Sequence, residues 1–165
     1  MKFHDITKCD MKNGVGVRVV LWVSGCEHYC KNCQNPITWD RNCGVDFDEE
    51  AKKELFYALS QDYCDGVTFS GGDPFAPYNR EEVFKLIKEI KDKLPTKTVW
   101  VYTGYTYEEL QGESCLAQVD VLVDGKFIET KKDLKLRWRG SSNQRIINVQ
   151  ESLKQEKVVE RLDLY

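Results

Sequence analysis

Four apolar runs in this chain each stop on glycine or aspartate-glycine, and helical patterns fill the intervals between them. Val15 to Ser24 is a β-branched run broken by Arg18 that ends at Gly25. Gly66 to Ser70 closes on Gly71-Gly72, Thr98 to Thr103 on Gly104, and Val119 to Val123 on Asp124-Gly125. Between them, Phe47 to Leu59 has helical periodicity with Asp48, Glu49 and Glu50 suited to a first turn. Asn79 followed by Glu82 resembles a capping box opening a helix with Val83, Leu86, Ile87 and Ile90 on one face, stopped by Pro95. Tyr107 to Leu110 begins a short helix, Arg145 to Val149 is a last strand, and Glu151 to Leu162 reads as a closing helix.

Strand alternating with helix signals βαβ units and a mostly parallel sheet, an α/β fold. Five such strands are too few for a closed eight-stranded barrel of about 250 residues. The expectation is an open, partial (βα) barrel of about five parallel strands, forming one domain over residues 1–165. Glycine-punctuated strand ends are where α/β proteins place ligands, so chemistry is expected along that edge.

Composition narrows the setting. A net charge of −3 predicts no general affinity for nucleic acid or anionic membrane. No apolar run is long enough to span a bilayer, and Met1 to Asp5 has no signal-peptide core, so the cytoplasm is the expected compartment. Seven cysteines, an odd number, argue against a disulfide framework there.

Three of the seven cluster as Cys26-x-x-x-Cys30-x-x-Cys33. Gly25, Asn32 and the pair Asn35-Pro36 oppose a buried helical stripe and favour a loop around a metal. Thiolates suit zinc or iron–sulfur. A structural zinc, with His28 or Cys43 as fourth ligand, is one reading, although no second ligand pair follows downstream. An iron–sulfur cubane with one iron open to substrate is the other. Cys9, Cys43, Cys64 and Cys115 are expected to be single buried thiols, and His28 an exposed loop residue.

The cysteine loop directly after the first strand resembles the signature of the radical S-adenosylmethionine (SAM) superfamily. Ser70-Gly71-Gly72-Asp73-Pro74, about forty residues on, looks like that superfamily's GGE motif. Asn35 to Trp39, Trp100 to Tyr105, Val121 to Phe127 and Trp138 to Arg145 extend the likeness over residues 1 to 150. Together they resemble the family of activating proteins of anaerobic ribonucleoside-triphosphate reductases; the tail beyond residue 150 is outside the resemblance.

The resemblance implies a 4Fe-4S cluster on Cys26, Cys30 and Cys33, and SAM cleaved to a 5′-deoxyadenosyl radical that takes hydrogen from a glycine of the large reductase subunit. It implies a flavodoxin or ferredoxin as electron donor. Another glycyl-radical enzyme of the pyruvate formate-lyase type is the alternative partner. SAM contacts are expected from Asn32, Cys33 and Gln34, from Gly71, Gly72 and Asp73, and from Thr103 and Asp124. For Thr103 and Asp124 a turn role is the competing expectation. Two departures stand out: Asn32 replaces an aromatic common before the last cysteine, and Asp73 replaces glutamate. Arg139 and Arg145 are expected on a solvated face, and Trp22, Trp39, Trp100 and Trp138 as core or interface anchors.

Overall fold

A computed structural model describes the backbone of all 165 residues and every side chain except that of Cys115, so the expectation for that thiol lies outside the described residues. Seven strands form one open sheet: β1 (Lys2–Asp10), β2 (Arg18–Val23), β3 (Val45–Asp46), β4 (Gly66–Gly71), β5 (Thr98–Tyr102), β6 (Val121–Asp124) and β7 (Arg145–Asn148). Their order is β3-β1-β2-β4-β5-β6-β7. Three α-helices accompany them: α1 (Glu49–Leu59), α2 (Pro77–Lys93) and α3 (Val149–Gln155).

The sheet is mixed, which corrects the expectation of five mostly parallel strands. Only β2, β4, β5 and β6 run parallel, while β1, β3 and β7 pair antiparallel. Two physical reasons account for this. β1 interleaves charged and apolar residues and so carries little hydrophobic signal, and a tight connection through Met11–Val17 returns it beside β2. Between β6 and β7 the chain has only a 3-10 turn at Glu129–Lys131 and no crossover helix, so β7 comes back antiparallel.

Alternation along the strands supplies two apolar layers. Val19, Leu21 and Val23 of β2, Val67 and Phe69 of β4, Val99 and Val101 of β5, and Leu122 of β6 share one core with Leu55 and Leu59 of α1 and Val83, Ile87 and Ile90 of α2. Each such side chain, fully buried, contributes about 1.5–3 kcal/mol of transfer free energy. The opposite face collects Trp100, Val121, Val123 and Ile146 with Tyr102, Trp138 and Leu164. At the entry end of β2, Arg18 is wholly buried. Its guanidinium donates to Thr68 Oγ1 (2.7 Å) and to the carbonyls of Val67 (2.5 Å) and Thr98 (3.0 Å), and lies over the Trp100 ring. Burial pulls its pKa down to about 10.

Glu49 and Glu50 lie in the first turn of α1 as expected, while Asp48 stands one place before it as the cap, accepting from the amides of Glu50 and Ala51. Asn79 does not cap α2: Pro77 opens that helix, and the Asn79 amide donates to the carbonyls of Ser24 (2.8 Å) and Asp73 (3.1 Å). It thereby ties the helix to the ends of two strands. The closing helix is shorter than expected. α3 stops at Glu156, which is left-handed (φ 55°), and the tail returns along β7 with Asn148 N–H bonded to the Val159 carbonyl and Arg161 N–H to that of Ile146. The tail thus covers an edge that would otherwise expose unpaired backbone. Cys64 is buried, but Cys9 and Cys43 are exposed, against expectation. Among the described residues no helix is long and apolar enough to cross a membrane.

Candidate functional site

At the C-terminal ends of the parallel strands the sheet opens into a cleft of about 330 Å³. Cys26, Cys30, Cys33 and Gln34 line it from the loop after β2, Ser70 to Asp73 from the end of β4, Thr103 and Gly104 from β5, and Gly125 from β6. Lys12, Phe127, Trp138 and Arg139 close the other side. Of the residues expected to bind SAM, Asn32 and Asp124 stand outside the lining.

The cysteine segment is a loop and not a helical stripe. Tyr29 and Asn32 both have left-handed backbones, φ 47° and 54°, so the chain coils tightly between the thiols. Asparagine is among the few non-glycine residues at ease there, which gives Asn32 a backbone reason for its place. Its side chain donates to Glu129, away from the cleft. The loop is anchored by Gly25 N–H on the Thr38 carbonyl (2.7 Å) and Cys26 N–H on that of Trp39 (3.0 Å).

Burial pushes the Cys26 thiol up to about 11, with an opposing hydrogen bond from the His28 backbone. Cys30 is likewise raised, burial first, with the Phe127 backbone acting against it. Asn35 N–H donates to Cys33 Sγ at 3.3 Å. The Cys26 and Cys30 thiols are thus poor nucleophiles as they stand, but become good ligands once a cation displaces the proton. Among the described residues no three His, Cys, Asp or Glu side chains converge on a single-ion site. A cubane asks for something else, one thiolate on each of three irons, and three soft donors around a cleft meet that demand.

Glycine at 71 and 72 is required by the approach of two chain segments. Gly71 is left-handed (φ 99°), and a Cβ on Gly72 would lie 2.3 Å from the Gly25 carbonyl oxygen. The amides here are already used, Gly72 N–H by the Val23 carbonyl (2.8 Å) and Asp73 N–H by that of Gly25 (2.7 Å).

Asp73 is 1% exposed. Its carboxylate accepts from Phe75 N–H (2.8 Å), Gly104 N–H (2.9 Å) and the Thr103 hydroxyl (2.9 and 3.0 Å). His28 Nε2 lies 2.6 Å away, and because a carboxylate only accepts, the imidazole is the donor. His28, expected to be exposed, has a side chain only 5% accessible, packed edge-on against Tyr105. Nothing in the sequence pairs residues 45 apart. Asp124 differs: Arg145 holds it (Nε to Oδ1, 3.0 Å), and Tyr107 N–H donates to it (2.8 Å). Arg145, expected on a solvated face, is thus a structural partner, whereas Arg139 lies against the Tyr165 ring at the cleft. Trp138 and Phe127 are cleft residues that sequence reasoning missed; the left-handed backbone of Trp138 (φ 60°) left no trace in residue type.

Residues 12–147 match the model of a 4Fe-4S single cluster domain. The anaerobic ribonucleoside-triphosphate reductase-activating protein of Enterobacteria phage T4 is 44% identical over 146 residues, covering 88% of this chain and 93% of its own. Its namesakes from Vibrio cholerae and Escherichia coli K12 are 41% and 40% identical over 148 residues, 87% of this chain and 96% of theirs. The cluster-domain match favours iron–sulfur over the zinc reading. With the thiols, the double glycine and the buried Asp73 gathered at one sheet edge, the chain belongs to the family of anaerobic ribonucleoside-triphosphate reductase-activating proteins, and its domain is of the 4Fe-4S type.

Proposed function

We propose that this protein is a radical SAM enzyme that installs a glycyl radical in the large subunit of the anaerobic ribonucleoside-triphosphate reductase. The observation that carries the reading is the meeting of Cys26, Cys30 and Cys33 with Gly71, Gly72 and Asp73 in one cleft. A 4Fe-4S cluster held by the three thiolates would supply one electron to the sulfonium of SAM, releasing methionine and a 5′-deoxyadenosyl radical.

The residues of the chain do the rest. Three cysteines leave one iron without a protein ligand, the position a substrate needs. The SAM ammonium is a donor and seeks carbonyl oxygens, so the use of the Gly72 and Asp73 amides inside the fold is compatible with its binding beside them. The Asp73 carboxylate and the Thr103 hydroxyl are spent on each other, so the end of β4 offers SAM backbone and not carboxylate. Cys33 and Gln34 bring backbone groups to the other side, while Asn32, outside the lining, shapes the turn that presents them. Asp124, held by Arg145, braces the β6 end. The cleft is open, and a partner that covers it would exclude water and bring its glycine to the roughly 3–3.5 Å that hydrogen transfer needs. The electron is proposed to come from a flavodoxin or ferredoxin.

The test is anaerobic. Iron-loaded protein, SAM, a strong one-electron reductant and the reductase should give a doublet electron-paramagnetic-resonance signal, and deuterium on the reductase glycine should appear in 5′-deoxyadenosine. Efficient SAM turnover with a small molecule, and no radical on the reductase, would sink the proposal. A radical on a pyruvate formate-lyase type enzyme instead keeps the chemistry and changes the partner.

A further inference from the structure

The Asp73 carboxylate sits where three strand-end loops meet. Phe75 N–H comes from its own loop and Thr103 and Gly104 from the end of β5, while His28 comes from the cysteine loop, midway between Cys26 and Cys30. A buried carboxylate with this many donors has no lone pair left for a ligand without breaking a bond it already makes. We propose that Asp73 is a positioning residue that acts through His28, fixing the cysteine loop to the ends of β4 and β5, and does not touch the cofactor.

Two further observations support the clasp. The bond is short, 2.6 Å, with the His28 side chain 5% and the Asp73 side chain 1% exposed, so water does not compete for it. Gly104 makes room for it: a Cβ there would lie 2.3 Å from His28 Cδ2 and 2.5 Å from Nε2. The backbone of Gly104 is not left-handed, so its lack of a side chain serves the imidazole and not a turn. Tyr105 packs against the other side of the ring, with centroids 4.7 Å apart. The backbone of the loop holding the thiols is anchored by Gly25 and Cys26 on the Thr38 and Trp39 carbonyls. Within the loop, Glu27 accepts from the Tyr105 hydroxyl and Lys31 and Asn32 reach Glu129, all through exposed groups, whereas His28 makes the buried tie to the strand ends.

This inference rests on Cys26, Cys30 and Cys33 being the cluster ligands, and its test separates the two. His28→Leu, His28→Gln, Gly104→Ala and Asp73→Asn would be loaded with iron anaerobically beside the wild type. Iron loss to a chelator, SAM affinity and melting of the iron-free protein would be followed. Removing a group that orients a metal ligand usually costs about ten- to a hundredfold, so His28→Leu and Gly104→Ala should lose iron faster by that factor. His28→Gln, whose amide can still donate to Asp73, should stay near the wild type. Melting of iron-free His28→Leu should change little, because Asp73 keeps Thr103, Gly104 and Phe75. If that variant fails to fold, Gly104→Ala carries the same comparison. Unchanged iron retention in both His28→Leu and Gly104→Ala overturns the inference, as does a glutamine variant no better than leucine. So does Asp73→Asn that keeps its iron but loses SAM affinity, since that would mean direct contact. A wild-type protein that takes up no iron defeats the cluster reading itself, and this inference with it.

Discussion

Asp73 and Asp124 occupy equivalent places, each where a parallel strand gives way to its loop and each 1% exposed, yet they do different work. Asp124 is neutralised by Arg145, which also reaches Glu108 (2.7 Å), and the three close a corner between β6, β7 and the turn before Leu110. Among the described residues Asp73 meets no arginine or lysine, only amides, a hydroxyl and an imidazole, and its imidazole belongs to the loop carrying the thiols. A buried carboxylate with a cationic partner holds a fold together. One held by backbone amides, a hydroxyl and an imidazole, beside a cleft, sets the position of chemistry. The contrast predicts that damage at the Asp73 end removes function from a folded protein, and damage at the Asp124 end removes stability from a functional one.

The largest effect should come from the thiols. Cys26→Ala, Cys30→Ala and Cys33→Ala are each expected to abolish iron loading and radical formation on the reductase, because two thiolates hold a cubane poorly. Cys9→Ala and Cys43→Ala, both exposed and outside the cleft, should retain both. Equal loss in all five would erase the difference between the two ends.

Next comes the Asp124 corner. Arg145→Leu leaves a buried carboxylate without its cation and should cost about 3 kcal/mol in denaturant unfolding of the iron-free protein, the low end for breaking a buried pair. Iron bound per folded molecule should not change. Loss of iron without loss of stability would show that the corner shapes the cleft after all.

Gly72→Val is smaller in free energy but reaches both properties of the cleft. The new Cβ would press on the Gly25 carbonyl beside Cys26, so SAM affinity and iron retention should fall together, each about tenfold or 1.4 kcal/mol. SAM affinity falling with iron retention intact would place the methionine, and not Gly25, against this glycine.

The smallest effect belongs to Glu108, about half exposed. Arg145 holds its carboxyl below the ordinary value of 4.5. The pair therefore stabilises the fold above that pH and the contribution is lost as pH falls through the lowered value. Glu108→Gln should cost under about 1 kcal/mol at pH 7, and progressively less as the pH is lowered below 4.5, in parallel urea titrations.

Much of this was legible beforehand, and for identifiable reasons. Cys26, Cys30 and Cys33 lie within one loop, so local spacing carries their meaning. The strand ends at Gly71 and Gly104 announced themselves because close approach of backbone admits no side chain. β1 was missed because its charged residues hide the strand, and the mixed sheet followed from that and from the helix-free return into β7. Asn79 was misplaced as a cap because its amide looks the same in sequence whether it serves its own helix or two neighbouring strands.

What the sequence determined by itself is therefore local: a thiolate loop after a strand, a double glycine after the next, and helices whose periodic faces must meet a sheet. Only the tertiary structure decided that Asp73 would face His28, 45 residues away, and Asp124 would face Arg145, 21 away. Those partnerships depend on strand order, because β4 lies between β2 and β5 while β6 lies against β7. Two aspartates with the same local signal acquire opposite roles from their neighbours, since a buried charge is governed by whatever donor the fold brings within about 3 Å.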